Sequence, residues 1–131
     1  MSSWADVERF AIALPGVTGG LTTGTRSWQV RRKGFVLERP LGKNDRCLLG
    51  DAAPDPELDI LGFRVEHAGA KEALLQADPE VFFTIAHYDG FDGLLLLLDR
   101  VAPPDLQEVV EEAWLAVAPP VLTGPWLAER R

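Results

Sequence analysis

Five leucines in a row, Leu94 to Leu98, set the strongest constraint on what this chain can fold into. A strand with one wet face alternates apolar and polar residues, so a run without alternation belongs in a sheet covered on both faces. The leucines end a longer stretch, Val81 to Val101, in which a second apolar segment, Val81 to Ile85, reaches them through a polar loop from Ala86 to Asp92. Two adjacent strands are predicted, with the C-terminal tail or another subunit lying on the second face of Leu94 to Asp99.

The rest of the chain supplies helices at both ends. Ser3 and Asp6 have the spacing of a capping box, and Trp4, Val7, Phe10, Ala11 and Leu14 recur at helical spacing until Pro15-Gly16. Pro103-Pro104-Asp105 opens the clearest helix, in which Leu106, Val109, Val110, Ala113, Trp114 and Val117 form one apolar stripe. A third helix is expected over Ala68 to Ala77, ended by Asp78-Pro79. Between them, Gly/Thr-rich extended backbone from Val17 to Thr25 leads into a strand with Trp28 and Val30 inward. A hairpin tip at Arg31-Arg32-Lys33-Gly34 follows, with Gly34 at positive φ, and then a return strand, Phe35 to Arg39. Short strands at Arg46 to Leu49 and Ile60 to Val65, and a packed tail from Val121 to Leu127, complete the reading. The fold class is α+β: one domain over residues 1–131, an antiparallel sheet packed against helices from both ends of the chain.

Composition excludes several function classes. With 131 residues, 47% of them hydrophobic and 25% charged, the chain can bury a core, and it is too apolar for disorder. No leader-like N-terminus and no apolar run long enough to span a bilayer is present, so a membrane partner is not expected. Cys47 is the lone cysteine, with no partner for a disulfide or a metal site; it reads as a reduced, buried strand residue of a cytoplasmic protein. The net charge of −7 opposes general attraction to polyanions. Charge is uneven, however: from Arg26 to Arg46 seven bases face two acids, a local +5 that leaves −12 on the remainder.

Three groups of residues, spread over almost the whole chain, carry a family likeness. They are Ala13-Leu14-Pro15-Gly16-Val17; Trp28-Gln29-Val30 with Lys33-Gly34-Phe35; and Phe83-Thr84 with His87-Tyr88-Asp89-Gly90, an apolar strand ending in Asp99, and Glu112-Ala113-Trp114 with Ala118-Pro119. In these the chain resembles the MmcQ/YjbR family, small bacterial-type proteins whose fold is similar to that of the bacterial frataxin CyaY. The resemblance implies a two-layer sandwich and a non-enzymatic role, commonly labelled DNA-binding through a double-wing arrangement. Family members often carry a proline near Asp92 and a polar residue near Leu97; both are missing here, which makes the leucine strand unusually apolar.

Two sites follow. Arg26, Arg31, Arg32, Lys33 and Arg39 are the candidate nucleic-acid contacts, since bases on a β-ribbon can neutralise phosphates; the alternative is a solvated hairpin that balances the acidic body. His87, Tyr88 and Asp89 are a candidate pocket for a small molecule or a protein partner, against the reading of a plain turn completed by Gly90. The acids Asp55, Glu57 and Asp59, and Glu108, Glu111 and Glu112, lack the ligand spacing of a cation loop, and no metal or other cofactor is expected. No Ser or Cys nucleophile with a spaced His partner is found, so no catalytic residue is named. Homodimerisation through Leu94 to Leu98 or the Trp126 tail is compatible with either site.

Overall fold

A computed structural model describes residues 1–22 and 24–130; Thr23, within the expected Gly/Thr-rich segment, lies outside them. Helix α1 (Trp4–Ile12) begins at Ser3, whose hydroxyl accepts the Asp6 N–H while the Asp6 carboxylate accepts the Ser3 N–H, the reciprocal cap that the sequence spells. Strands β1 (Val17–Thr22), β2 (Thr25–Val30) and β3 (Lys33–Glu38) form a meander, followed by helix α2 (Lys43–Leu49) and strand β4 (Ile60–Arg64). Helix α3 (Ala68–Ala77), strands β5 (Phe82–Phe83) and β6 (Gly93–Leu97), and helices α4 (Pro103–Val117) and α5 (Pro120–Glu129) complete the chain. The six strands run β1-β2-β3-β4-β6-β5, with every neighbouring pair antiparallel. The α+β sandwich is therefore as expected.

Side chains alternate across the sheet and divide the interior in two. On one face Trp28, Val30, Val36, Leu61, Leu94 and Leu96 meet Val7 and Ala11 of α1 and Leu106, Val110, Ala113 and Trp114 of α4. On the other, Ile60, Leu95 and Leu97 are buried beneath Ile85 and Tyr88, with Leu41, Leu49 and Leu58 packed at the margin. All five leucines are buried, as a doubly covered strand requires.

Four local expectations are corrected. The second face is closed by residues 41–58 and the Ile85–Tyr88 segment, not by the tail or a second subunit. Arg46 to Leu49 belongs to a helix, opened where the Asp45 carboxylate accepts the Gly42 N–H at 3.0 Å, and Cys47 stands exposed on it rather than buried in a strand. The tail is helix α5, begun by Pro120 in its favoured early position and carrying Pro125 inside it, and its Trp126 packs edge-on against Trp114 at 5.2 Å between ring centroids. Positive φ at the β2–β3 hairpin falls on Arg31 (49°) and Arg32 (69°) instead of Gly34, because a two-residue turn matching the strand twist needs it at both central positions. The leucine strand and Trp126 are covered by their own chain, while Val121 and Leu127 of α5 stand exposed.

Candidate functional site

The five bases do not converge. Arg26 shares the sheet face of Trp28: its guanidinium lies 3.4 Å from the Glu38 carboxylate and 5.4 Å from the Trp4 ring. Arg39 lies over the opposite face, 3.5 Å from Asp45 and 5.9 Å from the centre of the Tyr88 ring. The other three stay together: Arg31, Arg32 and Lys33 form the exposed hairpin tip, and none has an ion pair among the described residues. A non-glycine residue at positive φ costs roughly 1–2 kcal/mol, and here two arginines in succession carry that cost.

The His87–Asp89 loop is a structural corner. Tyr88 is buried over Gly62, while His87 and Asp89 are both exposed, and neither lines the cleft between α3 and α4. Lys71 of α3 clamps the loop by donating from Nζ to the Tyr88 carbonyl at 2.8 Å and to the Phe91 carbonyl at 3.0 Å. Burial pushes the Tyr88 phenol up from its ordinary value, with Arg39 opposing, so the hydroxyl keeps its proton at neutral pH.

Sequence reasoning missed a cleft on the helix side of the sheet. Between α3 and α4 a cleft of about 470 Å³ opens onto the sheet. Its apolar part is built from Phe63 and Val65 at the end of β4, Leu74 of α3, Val81 and Phe82 at β5, and Val109 of α4. The cause lies in α3: although most of its residues are apolar, none is buried, and its cleft positions Ala70 and Ala73 are too small to close the gap. Five acids, Glu66, Asp78, Asp105, Glu108 and Glu112, line the cleft against two bases, Arg64 and Arg100. Arg64 is drawn over the Phe91 ring at 4.9 Å, and Arg100 donates to the Glu80 carbonyl at 3.5 Å. The Glu112 carboxyl is held above the usual carboxylate range, first by loss of solvent and then by the negative charges of Glu108, Glu66 and Glu111. Glu112 remains exposed as a residue, so the withdrawal from water is partial. The sequence signal was present but weak: a short helix with alanines where a packed helix has large residues, and glutamates one turn apart at positions 108 and 112.

Among the described residues no group of three His, Cys, Asp or Glu side chains is placed to hold a metal ion. Among the same residues no helix is long and apolar enough to cross a membrane.

No protein-family model matches the chain. It is 40% identical over 131 residues to the uncharacterised protein Rv2570 of Mycobacterium tuberculosis (strain ATCC 25618 / H37Rv), with 98% of each chain covered. The uncharacterised protein Mb2600 of Mycobacterium bovis matches to the same extent. Among solved structures, Deinococcus radiodurans protein DR2400, a DUF419 domain, shares the fold with a TM-score of 0.64 at 20% identity, covering 89% of this chain and 79% of that one.

Proposed function

We propose a ligand-binding role for this chain, which belongs to the same family as the uncharacterised mycobacterial proteins it matches end to end and must be read from its own site. It is a cytoplasmic, non-enzymatic module of MmcQ/YjbR type that holds a small, largely apolar molecule between α3 and α4. The observation that carries this reading is the cleft of about 470 Å³, within the size range of small-molecule sites and floored by side chains of the main core. The loop at His87 lies beside this cleft rather than in it, tied to α3 by the Lys71 hydrogen bonds to the Tyr88 and Phe91 carbonyls.

A neutral environment-sensitive dye, phenylnaphthylamine, tests it. Its fluorescence is expected to rise and saturate with the native protein, and Ala73→Phe, on an exposed turn of α3, is expected to weaken binding by about tenfold or more while leaving the unfolding curve in place. Dye binding indifferent to Ala73→Phe would remove the cleft from consideration.

A second reading, contact with nucleic-acid phosphates, is favoured by one observation: two successive arginines occupy the positive-φ turn, where Asn-Gly would sit at lower cost. It is narrowed to Arg31, Arg32 and Lys33, because Arg26 and Arg39 already have acid partners on opposite faces. Three phosphate contacts predict that log K for duplex DNA falls against log salt with a slope of about −3. Arg31→Asn with Arg32→Gly is expected to reduce that slope to about −1 and, at the same time, to stabilise the fold by about 1 kcal/mol. Anisotropy titrations paired with chemical denaturation check both signs; unchanged DNA affinity in the stabilised variant would leave the tip a structural turn alone.

A further inference from the structure

We propose that the cleft between α3 and α4 selects an organic cation: a molecule with an apolar body that enters between Phe63, Leu74 and Val109 and an ammonium-type head held at the mouth by Glu66, Glu108 and Glu112. This rests on the ligand-binding reading above and deepens it.

Charge complementarity carries the choice. The cleft has two kinds of wall. One is core: Phe63, Val65, Val81, Phe82 and Val109 are all buried or nearly so, and a hydrocarbon body is what removes their remaining surface from water. The other is acidic. Glu108 and Glu112 lie one helical turn apart on α4, where like charges repel, and Glu66 approaches them from the strand end across the cleft. None of these three carboxylates has an ion pair among the described residues, whereas neighbouring Glu111 has Arg130 at 3.9 Å. The two bases of the cleft do not supply the missing counter-charge: Arg64 stacks on Phe91 and Arg100 is turned to a backbone carbonyl. A carboxylate group crowded this way is relieved by a cation that brings its own apolar anchor. An anionic ligand meets repulsion at the mouth, and a neutral one leaves the repulsion as it was. The aromatic pair Phe63 and Phe82, with ring centroids 6.0 Å apart, adds polarisable surface for the part of the body next to the charged head.

The experiment uses three probes with one body and different heads: phenylbutylamine, phenylbutanol and phenylbutyrate, titrated by calorimetry into the intact chain at neutral pH and low salt. The amine is expected to bind about tenfold tighter than the alcohol, and the carboxylate more weakly than either. Glu108→Gln with Glu112→Gln, on solvated positions of α4, is expected to bring the amine down to the affinity of the alcohol while leaving the alcohol unchanged. Equal affinity of amine and alcohol in the native protein, or preference for the carboxylate, overturns the charge selection and leaves the ligand-binding reading standing. Failure of all three probes, together with failure of the neutral dye, overturns both.

Discussion

Replacing Trp114 with alanine is expected to cost about 3–5 kcal/mol and to lower Tm by roughly 10–20 °C. Trp114 is fully buried where α4 meets α1 and the sheet, and it is the element through which the two ends of the chain hold one another. Three interactions leave together. Its rings fill the interior beside α1; its Nε1–H, donating to the Pro15 carbonyl at 3.1 Å, ties α4 to the α1–β1 junction; and its edge-on contact seats Trp126 of α5. The alanine variant forfeits the packing, leaves the Pro15 carbonyl short of a donor and frees α5 to lift. Trp114→Phe separates these effects: most of the packing survives, the hydrogen bond does not, and the loss is expected to be nearer 1 kcal/mol than 4. Urea denaturation followed by circular dichroism checks both. A cost below about 1 kcal/mol for the alanine variant would mean that α4 is not the keystone of this core.

What the sequence made legible was whatever is encoded locally. Ser3 and Asp6 named the start of α1, the apolar stripe from Leu106 to Val117 named α4, and the uninterrupted leucines named a strand covered on both sides. What it could not convey was which distant residues meet. Arg46-Cys47-Leu48-Leu49 is a short run of the kind whose period does not separate helix from strand, and its true context is the Gly42–Asp45 cap together with packing of the half-buried Leu49 at the margin of the second face. The count of bases between Arg26 and Arg46 was correct, yet a count ignores the pleat. Arg26 takes the side of Trp28, whereas Arg39 passes to the side of Tyr88, and each meets an acid that the sequence does not place beside it. The cleft was least legible of all, since it is a distance between α3 and α4 rather than a property of any segment. Three of its five acids, Asp105, Glu108 and Glu112, were visible as charges on α4, but the apolar floor beneath them depends on where β4 and β5 end.

The double cover of the sheet makes a sharper prediction than its leucine content alone. Leu95→Ala is expected to cost about 2–5 kcal/mol, comparable to Leu96→Ala, although Leu96 faces the helices and Leu95 faces away from them. Leu95 is fully buried, paired in register with Gly62 on β4 and Phe83 on β5, and roofed by the segment that carries Tyr88. Gly62 is part of the reason for the tight closure: a Cβ there would stand 3.1 Å from the Tyr88 hydroxyl and 3.5 Å from Leu95, so the ring lies directly on the backbone and has little room to collapse into a void. If the second face were wet, truncating Leu95 would remove little buried area and its cost would fall to a few tenths of a kcal/mol. Parallel denaturation of the two variants decides this. The same pair separates fold from site, because the cleft opens on the Leu96 face among Phe63, Phe82 and Val109. Leu95→Ala, well below its own Tm, is therefore expected to keep dye affinity within about twofold of the native chain, since a cavity on the far face changes stability without touching the cleft wall. Loss of dye binding in a variant that is still folded would show that the two faces are mechanically coupled, and that the roof over Tyr88, through the Lys71 clamp, controls the width of the cleft.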